Sequence, residues 1–287
     1  MANEHLAEIY LEVDKAKAAR LADCATFLTY RPKADGAGIA LQRANFCRVR
    51  LCPMCTWRRS LKVFGQLSRI MEALKGEYAY ILLTLTVKNV QGEELGQRIT
   101  DMMKGWQRFT QRKAYKKAVK GHFRAMEITH NLKLKSKHYD TYHPHFHVIL
   151  AVKPTYFKDR TYLSHRKWQV LWKEAMRVEY DPVVNVKRIK GDDLGAVAEV
   201  AKYAVKYTDI VNEDYDMTLR TVRLLDEALN NRRFVAMGGT LKEMHKKLNL
   251  DDIEDGDLVQ IEEDKPETTA RELAFVWHAG YRQYLGD

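Results

Sequence analysis

Apolar positions along this chain recur every third or fourth residue in some stretches and run continuously or alternate in others, which separates helical from extended segments. Leu6, Ile9, Tyr10, Val13 and Ala16 form one stripe within residues 4–24 and predict an amphipathic helix. Leu61, Phe64, Leu67, Ile70, Met71 and Leu74 predict a second, from Trp57 to Leu74, after a loop containing Pro32, Gly36 and Gly38. Tyr78 to Val87 is apolar, β-branched and aromatic, and reads as a central strand. A long helical segment rich in Lys and Arg follows from Glu94 to Val119, then a second strand from Gly121 to Thr129 and a third after His143. Between these two strands, Asn131 to Tyr142 carries Lys133, Lys135, Lys137 and His138 and reads as a basic hairpin loop. Arg166 to Val178, with Trp168 and Trp172, predicts a helix, Val183 to Ile189 a fourth strand, and Leu194 to Thr208 another helix. The remainder reads as mostly helical, apart from an acidic linker, and no internal repeat is visible.

The third strand holds the most telling chemistry, His143-Pro144-His145-Phe146-His147 followed by Val148-Ile149-Leu150. Successive strand side chains alternate faces, so His145 and His147 point the same way while Phe146 faces the core. Two imidazoles converging from one strand make half of a divalent-metal site. The plain alternative is a chance pair on a solvated strand. Against it stands Glu127, a carboxylate in the middle of the apolar strand Phe123 to Thr129. In an antiparallel pair with the histidine strand, Glu127 can supply the third ligand and leave positions open for water and a phosphate oxygen.

Further along, Glu199, Tyr203, Lys206 and Tyr207 fall at i, i+4, i+7 and i+8, one face of a helix. A tyrosine can attack phosphorus and form a covalent phosphotyrosine link. With a pKa of about 10 the phenol is a poor nucleophile at neutral pH, so a base, a cation or a metal-polarised phosphate must assist. Glu199 can take a proton and Lys206 can stabilise developing phosphate charge. An ordinary amphipathic helix would carry the same spacing, and only the histidine strand argues otherwise.

Charge narrows the partners. The net charge is +10, yet Asp251 to Glu267 holds nine acidic residues and one lysine, leaving about +18 on the rest. Such a bias favours a polyanionic partner. The acidic stretch reads as a solvated linker, with DNA mimicry as the alternative. No apolar run approaches the roughly 20 residues needed to cross a bilayer, so no membrane role is expected. The N-terminus lacks the basic-then-apolar order of a signal peptide, which points to a cytoplasmic, reducing compartment. There, four cysteines speak for metal binding over disulfides.

Cys47-x4-Cys52-x2-Cys55 is a compact cluster, with Cys24 upstream as a fourth ligand, and structural Zn2+ is the expected occupant. A redox Cys-x-x-Cys would follow a strand, and none precedes this one. Arg48, Arg50, Arg58, Arg59 and Lys62 surround the knuckle and are candidates for contact with a DNA backbone. A solvated basic face is the alternative.

Together, His143 to His147, the strand ILLTLTV ahead of it, Glu199-x3-Tyr203-x2-Lys206 after it and the segment FCRVRLCPMCTWRRSLK (Phe46 to Lys62) resemble HUH endonucleases. More narrowly they resemble the replication initiators of bacterial rolling-circle plasmids that use one tyrosine and one glutamate. The likeness covers roughly residues 20–210. It implies an α+β fold with a central antiparallel sheet flanked by helices, an N-terminal zinc-binding segment and a helical C-terminal part. The corresponding division is residues 1–75, 76–212 (the endonuclease domain) and 213–287. It further implies Mn2+ or Mg2+ held by His145, His147 and Glu127, nicking by Tyr203 at a plasmid origin with retention of the 5′ end, and termination by water activated by Glu199. Tyr207 is a second or substitute nucleophile by position. The implied partners are single-stranded or hairpin origin DNA and the host's helicase and polymerase, because no phosphate-binding G-x-x-x-x-G-K-[ST] loop is present. The oligomeric state stays open, a dimer among the alternatives.

Two other classes compete. A relaxase or single-strand transposase shares the histidine pair, but many relaxases place the tyrosine before the histidines, whereas here it follows His147 by 56 residues. A non-catalytic zinc-stabilised DNA-binding module explains charge and cysteines but leaves Glu127, His145, His147 and Tyr203 as coincidence.

Overall fold

The computed structural model describes residues 2–33, 38–190, 194–202, 204–259 and 272–286, with the side chain of Leu194 excepted. In chain order the elements are α1 (Ala2–Tyr10), α2 (Lys15–Ala22), β1 (Phe27–Pro32), β2 (Ile39–Ala44), α3 (Pro53–Ala73), β3 (Ala79–Thr86), α4 (Leu95–Gln111), α5 (Lys113–Ala118), β4 (Val119–Asn131), β5 (Thr141–Val152), α6 (His165–Met176), β6 (Val184–Ile189), α7 (Leu194–Val200), α8 (Tyr215–Leu229), β7 (Val235–Gly239), α9 (Thr240–Lys247), β8 (Leu273–His278) and β9 (Gln283–Gly286). The fold is α+β, with antiparallel sheets and flanking helices. The chain forms two compact units, one of Met1–Gly65, Ile210–Asp226 and Asp251–Asp287, the other of Gln66–Asp209 and Glu227–Leu250. Among the described residues no helix is long and apolar enough to cross a membrane.

The second unit is built on a five-stranded sheet in the order β6-β3-β5-β4-β7. Every neighbouring pair is antiparallel. The central strand β5 is buried along most of its length, as its continuous Val148 to Val152 run requires. Phe146, fully buried, packs against Trp106 of α4 and Trp172 of α6, with ring centroids 5.8 and 6.0 Å apart. That aromatic layer, joined by Phe109 and Trp168, covers one face of the sheet. His145 and His147 therefore emerge on the other face, which α7 covers.

The first unit carries a four-stranded sheet in the order β2-β1-β8-β9. On its helical side Tyr10 donates to Asp226 at 2.7 Å, and Lys17 reaches the same carboxylate at 2.6 Å.

Several elements differ from the pattern in the sequence, each for a physical reason. The helix expected over residues 4–24 is broken, because Asp14 turns extended and its side chain caps α2 at the Lys17 amide, 3.0 Å away. The helix expected from Glu94 to Val119 breaks at Arg112, where Phe109 and Tyr115 turn into contact at 5.2 Å. The helix expected from Leu194 to Thr208 ends at Val200, because the chain leaves it to bond the edge of β4, with Ile128 N donating to Ala204 O at 2.8 Å. The C-terminal stretch contains the helices expected there and three strands besides: β7 extends the five-stranded sheet and β8 and β9 extend the other.

The acidic linker is corrected as well. Residues 251–259 fold against the first unit, with Ile253 6 % and Leu258 1 % exposed. Its remaining residues, 260–267, lie outside the described residues.

Candidate metal centre

Register brings together the residues that could hold a metal. Glu127 on β4 stands directly opposite His145 on β5, and His147 lies two residues further along β5 on the same face. Glu127 Oε2 is 2.9 Å from His147 Nε2 and 3.3 Å from His145 Nε2, and the two ring nitrogens are 3.0 Å apart. Donors at about 2.1 Å from one ion and at right angles to each other sit about 3.0 Å apart. The spacing of the trio thus fits three adjacent corners of an octahedral divalent site.

Surrounding groups orient the ligands. The His143 carbonyl lies 3.1 Å from His145 Nδ1, which therefore carries the proton and leaves Nε2 with its lone pair. Thr84, which faces His147 across β3, lies 3.5 Å from its Nδ1. Burial alone would raise the Glu127 carboxyl, but hydrogen bonds and charge from His145 and His147 outweigh it and hold the group well below the usual carboxylate range.

Two groups from the segment after β6 join the centre. Glu199 Oε1 is 3.7 Å from His147 Nε2, and its other oxygen meets Lys202 Nζ at 2.5 Å. Lys206 Nζ is 3.3 Å from Glu127 Oε1. The continuous helical face expected for Glu199, Tyr203, Lys206 and Tyr207 is interrupted, since α7 ends at Val200; Glu199 reaches the centre from α7 and Lys206 from the segment beyond it. Tyr203 lies outside the described residues. Burial pushes the Tyr207 phenol above its ordinary value.

The first unit holds a second cluster, Cys24, Cys47, Cys52 and Cys55, all buried. Cys24 Sγ lies 3.6 Å from both Cys52 and Cys55 Sγ, and Cys47 Sγ lies 3.7 Å from Cys55 Sγ. These separations are far beyond a disulfide. Sulfurs about 2.3 Å from a tetrahedral zinc are about 3.8 Å apart, so the four fit a zinc site. The Arg48 amide donates to Cys55 Sγ at 3.2 Å. Hydrogen bonds from the other three cysteines hold the Cys55 thiol far below its ordinary range.

The basic residues of the knuckle do not form the open phosphate track their spacing suggests. Lys62, 2 % exposed, binds Asp251 Oδ2 at 2.7 Å and the Asp257 carbonyl at 3.0 Å. Arg58 donates to the carbonyls of Leu258 and Val259 at 2.8 and 2.7 Å. Arg50 pairs with Glu254 at 3.3 Å, Arg48 donates to the Asp255 carbonyl at 2.9 Å, and Arg59 donates to the Arg48 carbonyl at 3.1 Å. Arg58 and Lys62 thus serve the fold, while Arg48 remains exposed.

Sequence reasoning missed Thr84, the His143 carbonyl and Lys202. The alternation of Thr84 and Thr86 within β3 was the available signal for Thr84, since both face the histidines across the strand pair.

Comparison with known proteins places the chain. Residues 38–285 match the Rep_1 family model, described as Replication protein. A "Protein rep" of Bacillus amyloliquefaciens is 44 % identical over 292 residues, covering 94 % of this chain and 84 % of that protein. A "Protein rep" of Streptococcus pneumoniae serotype 2 is 35 % identical over 98 % of this chain and 88 % of its own length. A "Replication protein" of Staphylococcus aureus is 41 % identical over 72 % of this chain and 89 % of its own length. No solved structure matches the chain. With the match spanning most of its length, this chain belongs to the Rep_1 family of replication proteins.

Proposed function

We propose that this protein initiates rolling-circle replication of a bacterial plasmid by nicking one strand at the origin, as an HUH-type endonuclease. The observation that carries the reading is the convergence of Glu127, His145 and His147 with Glu199 and Lys206. Three donors leave open corners for a phosphate oxygen, and a carboxylate and an ammonium stand beside them.

Tyr203 is the nucleophile. Its phenolate oxygen attacks the scissile phosphorus, a phosphotyrosine bond forms, and the phosphorus–O3′ bond breaks. The 3′ oxygen takes up a proton and leaves as the hydroxyl that primes the host polymerase. Glu127, His145 and His147 would hold a divalent ion, Mn2+ or Mg2+, which would supply Lewis-acid polarisation of the phosphate. Lys206 offers positive charge where the phosphoryl oxygens gain negative charge. At termination Glu199 takes a proton from water, whose oxygen attacks the phosphorus of the regenerated nick site; the phosphorus–O3′ bond breaks and the 3′ oxygen leaves as a hydroxyl after taking up a proton. Cys24, Cys47, Cys52 and Cys55 would hold Zn2+, which would keep the first unit's knuckle together. Origin DNA, a host helicase and a host polymerase are the partners, and the bacterial cytoplasm is the setting. Phosphate contact comes from the exposed Arg48, with Arg50, Arg58, Arg59 and Lys62 bracing the surface around it.

Incubation of the protein with end-labelled single-stranded origin DNA and Mn2+ tests this reading. Cleavage that needs the metal and leaves the fragment 3′ of the nick attached to protein through its 5′ phosphate is expected. Metal-independent cleavage, or products all free of protein, would overturn it.

A further inference from the structure

We propose that His130 is a positioning residue for nicking, holding the segment just beyond residue 203 against the open edge of β4. The inference rests on the function proposed above.

Strand β7 pairs with β4 only as far as Ala125. Phe234 O then accepts from the Met126 amide at 3.0 Å, and beyond that point a different segment takes over the edge. The Ile128 amide donates to Ala204 O at 2.8 Å, and the His130 side chain makes the next tie, with Nδ1 3.2 Å from Asp209 O. A carbonyl only accepts, so Nδ1 carries the proton. Lys206 lies between the two ties, in a turn closed by the Asp209 amide on the Lys206 carbonyl at 3.0 Å.

The His130 ring is held on every side. Its side chain is 0 % exposed, its ring lies flat on Tyr142 at 4.2 Å, and its Nε2 is 2.9 Å from Asp140 Oδ1. A phenylalanine would satisfy the stacking and volume at this position. What it would lose is the hydrogen bond that fixes the turn bearing Lys206, whose ammonium sits 3.3 Å from Glu127. Displacement of a charge by an ångström at a reacting phosphate lowers rate without altering the metal ligands.

Three variants separate this role from packing. His130→Phe keeps the stack and removes both ring-nitrogen contacts, His130→Asn keeps an N–H near the Nδ1 position, and His130→Gln keeps one near Nε2. In single-turnover nicking of origin DNA with Mn2+, His130→Phe and His130→Gln should be slowed about tenfold or more, with KM for the oligonucleotide and Mn2+ affinity unchanged. His130→Asn should nick near the wild-type rate. Hydrogen exchange over residues 204–210 should quicken in His130→Phe and not in His130→Asn. Wild-type nicking by His130→Phe, or equal loss in all three variants, would overturn the role of His130 alone. A wild-type protein that does not nick would instead overturn the proposed function.

Discussion

Glu127 and Lys206 are joined through a single carboxylate oxygen, Lys206 Nζ standing 3.3 Å from Oε1 while Oε2 faces both histidines. The carboxylate thus connects the ammonium to the metal ligands. Lys206 is half-exposed, so its pairing adds less than about 1 kcal/mol to stability. In the proposed reaction its worth lies in charge at the phosphate. Lys206→Ala should slow nicking about 100-fold, leave Mn2+ affinity nearly unchanged and not alter the melting temperature. Lys206→Arg should recover part of the rate.

The zinc assignment predicts a split between the two units. Chelation of Zn2+, or Cys52→Ser, should unfold the first unit, seen as rapid hydrogen exchange over residues 2–65. Protection of β4 and β5 should persist, and loss there to the same degree would count against independent metal sites.

At the knuckle, Lys62 and Arg48 should behave differently. Lys62→Met removes hydrogen bonds to a half-exposed partner and should cost about 1–2 kcal/mol. Asp251→Ala leaves a buried ammonium behind and should cost more, about 3 kcal/mol. Neither should change the salt dependence of single-strand binding. Arg48→Ala should leave stability alone and lower the salt slope by about one. Denaturant melts and binding isotherms at several salt concentrations distinguish the two residues.

His122 makes stability depend on pH. Burial, with the neighbouring Arg124 charge, pulls its pKa down to about 4 from 6.5, so the folded protein keeps the ring neutral. Unfolding lets the ring take a proton once pH falls below about 6.5. The stabilisation is complete above that value and is lost as pH falls toward 4, by up to about 3 kcal/mol. His122→Phe should flatten the decline of Tm across this window. An unchanged decline would assign it to other groups.

How much of this was legible in the sequence varies from residue to residue. The His145-Phe146-His147 alternation is local, since strand geometry alone sends the two imidazoles to one face, and the structure places them there. Glu127 was legible because a carboxylate in an apolar strand calls for a partner, and antiparallel register supplies it. The end of α7 was not legible. Local spacing favours a continuing helix through Lys206, and a bond from Ile128, 76 positions earlier than Ala204, ends it. The partners of Arg58 and Lys62 were hidden for the same reason, lying about 190 to 200 residues away in the acidic stretch.

The central claim is that Tyr203 becomes covalently joined to DNA. Wild-type protein and Tyr203→Phe, each incubated with Mn2+ and a single-stranded origin oligonucleotide labelled 3′ of the nick, are separated on a denaturing protein gel. The account predicts a labelled protein band for the wild type and none for Tyr203→Phe, with oligonucleotide binding equal in both. A labelled band of undiminished intensity in Tyr203→Phe would contradict it.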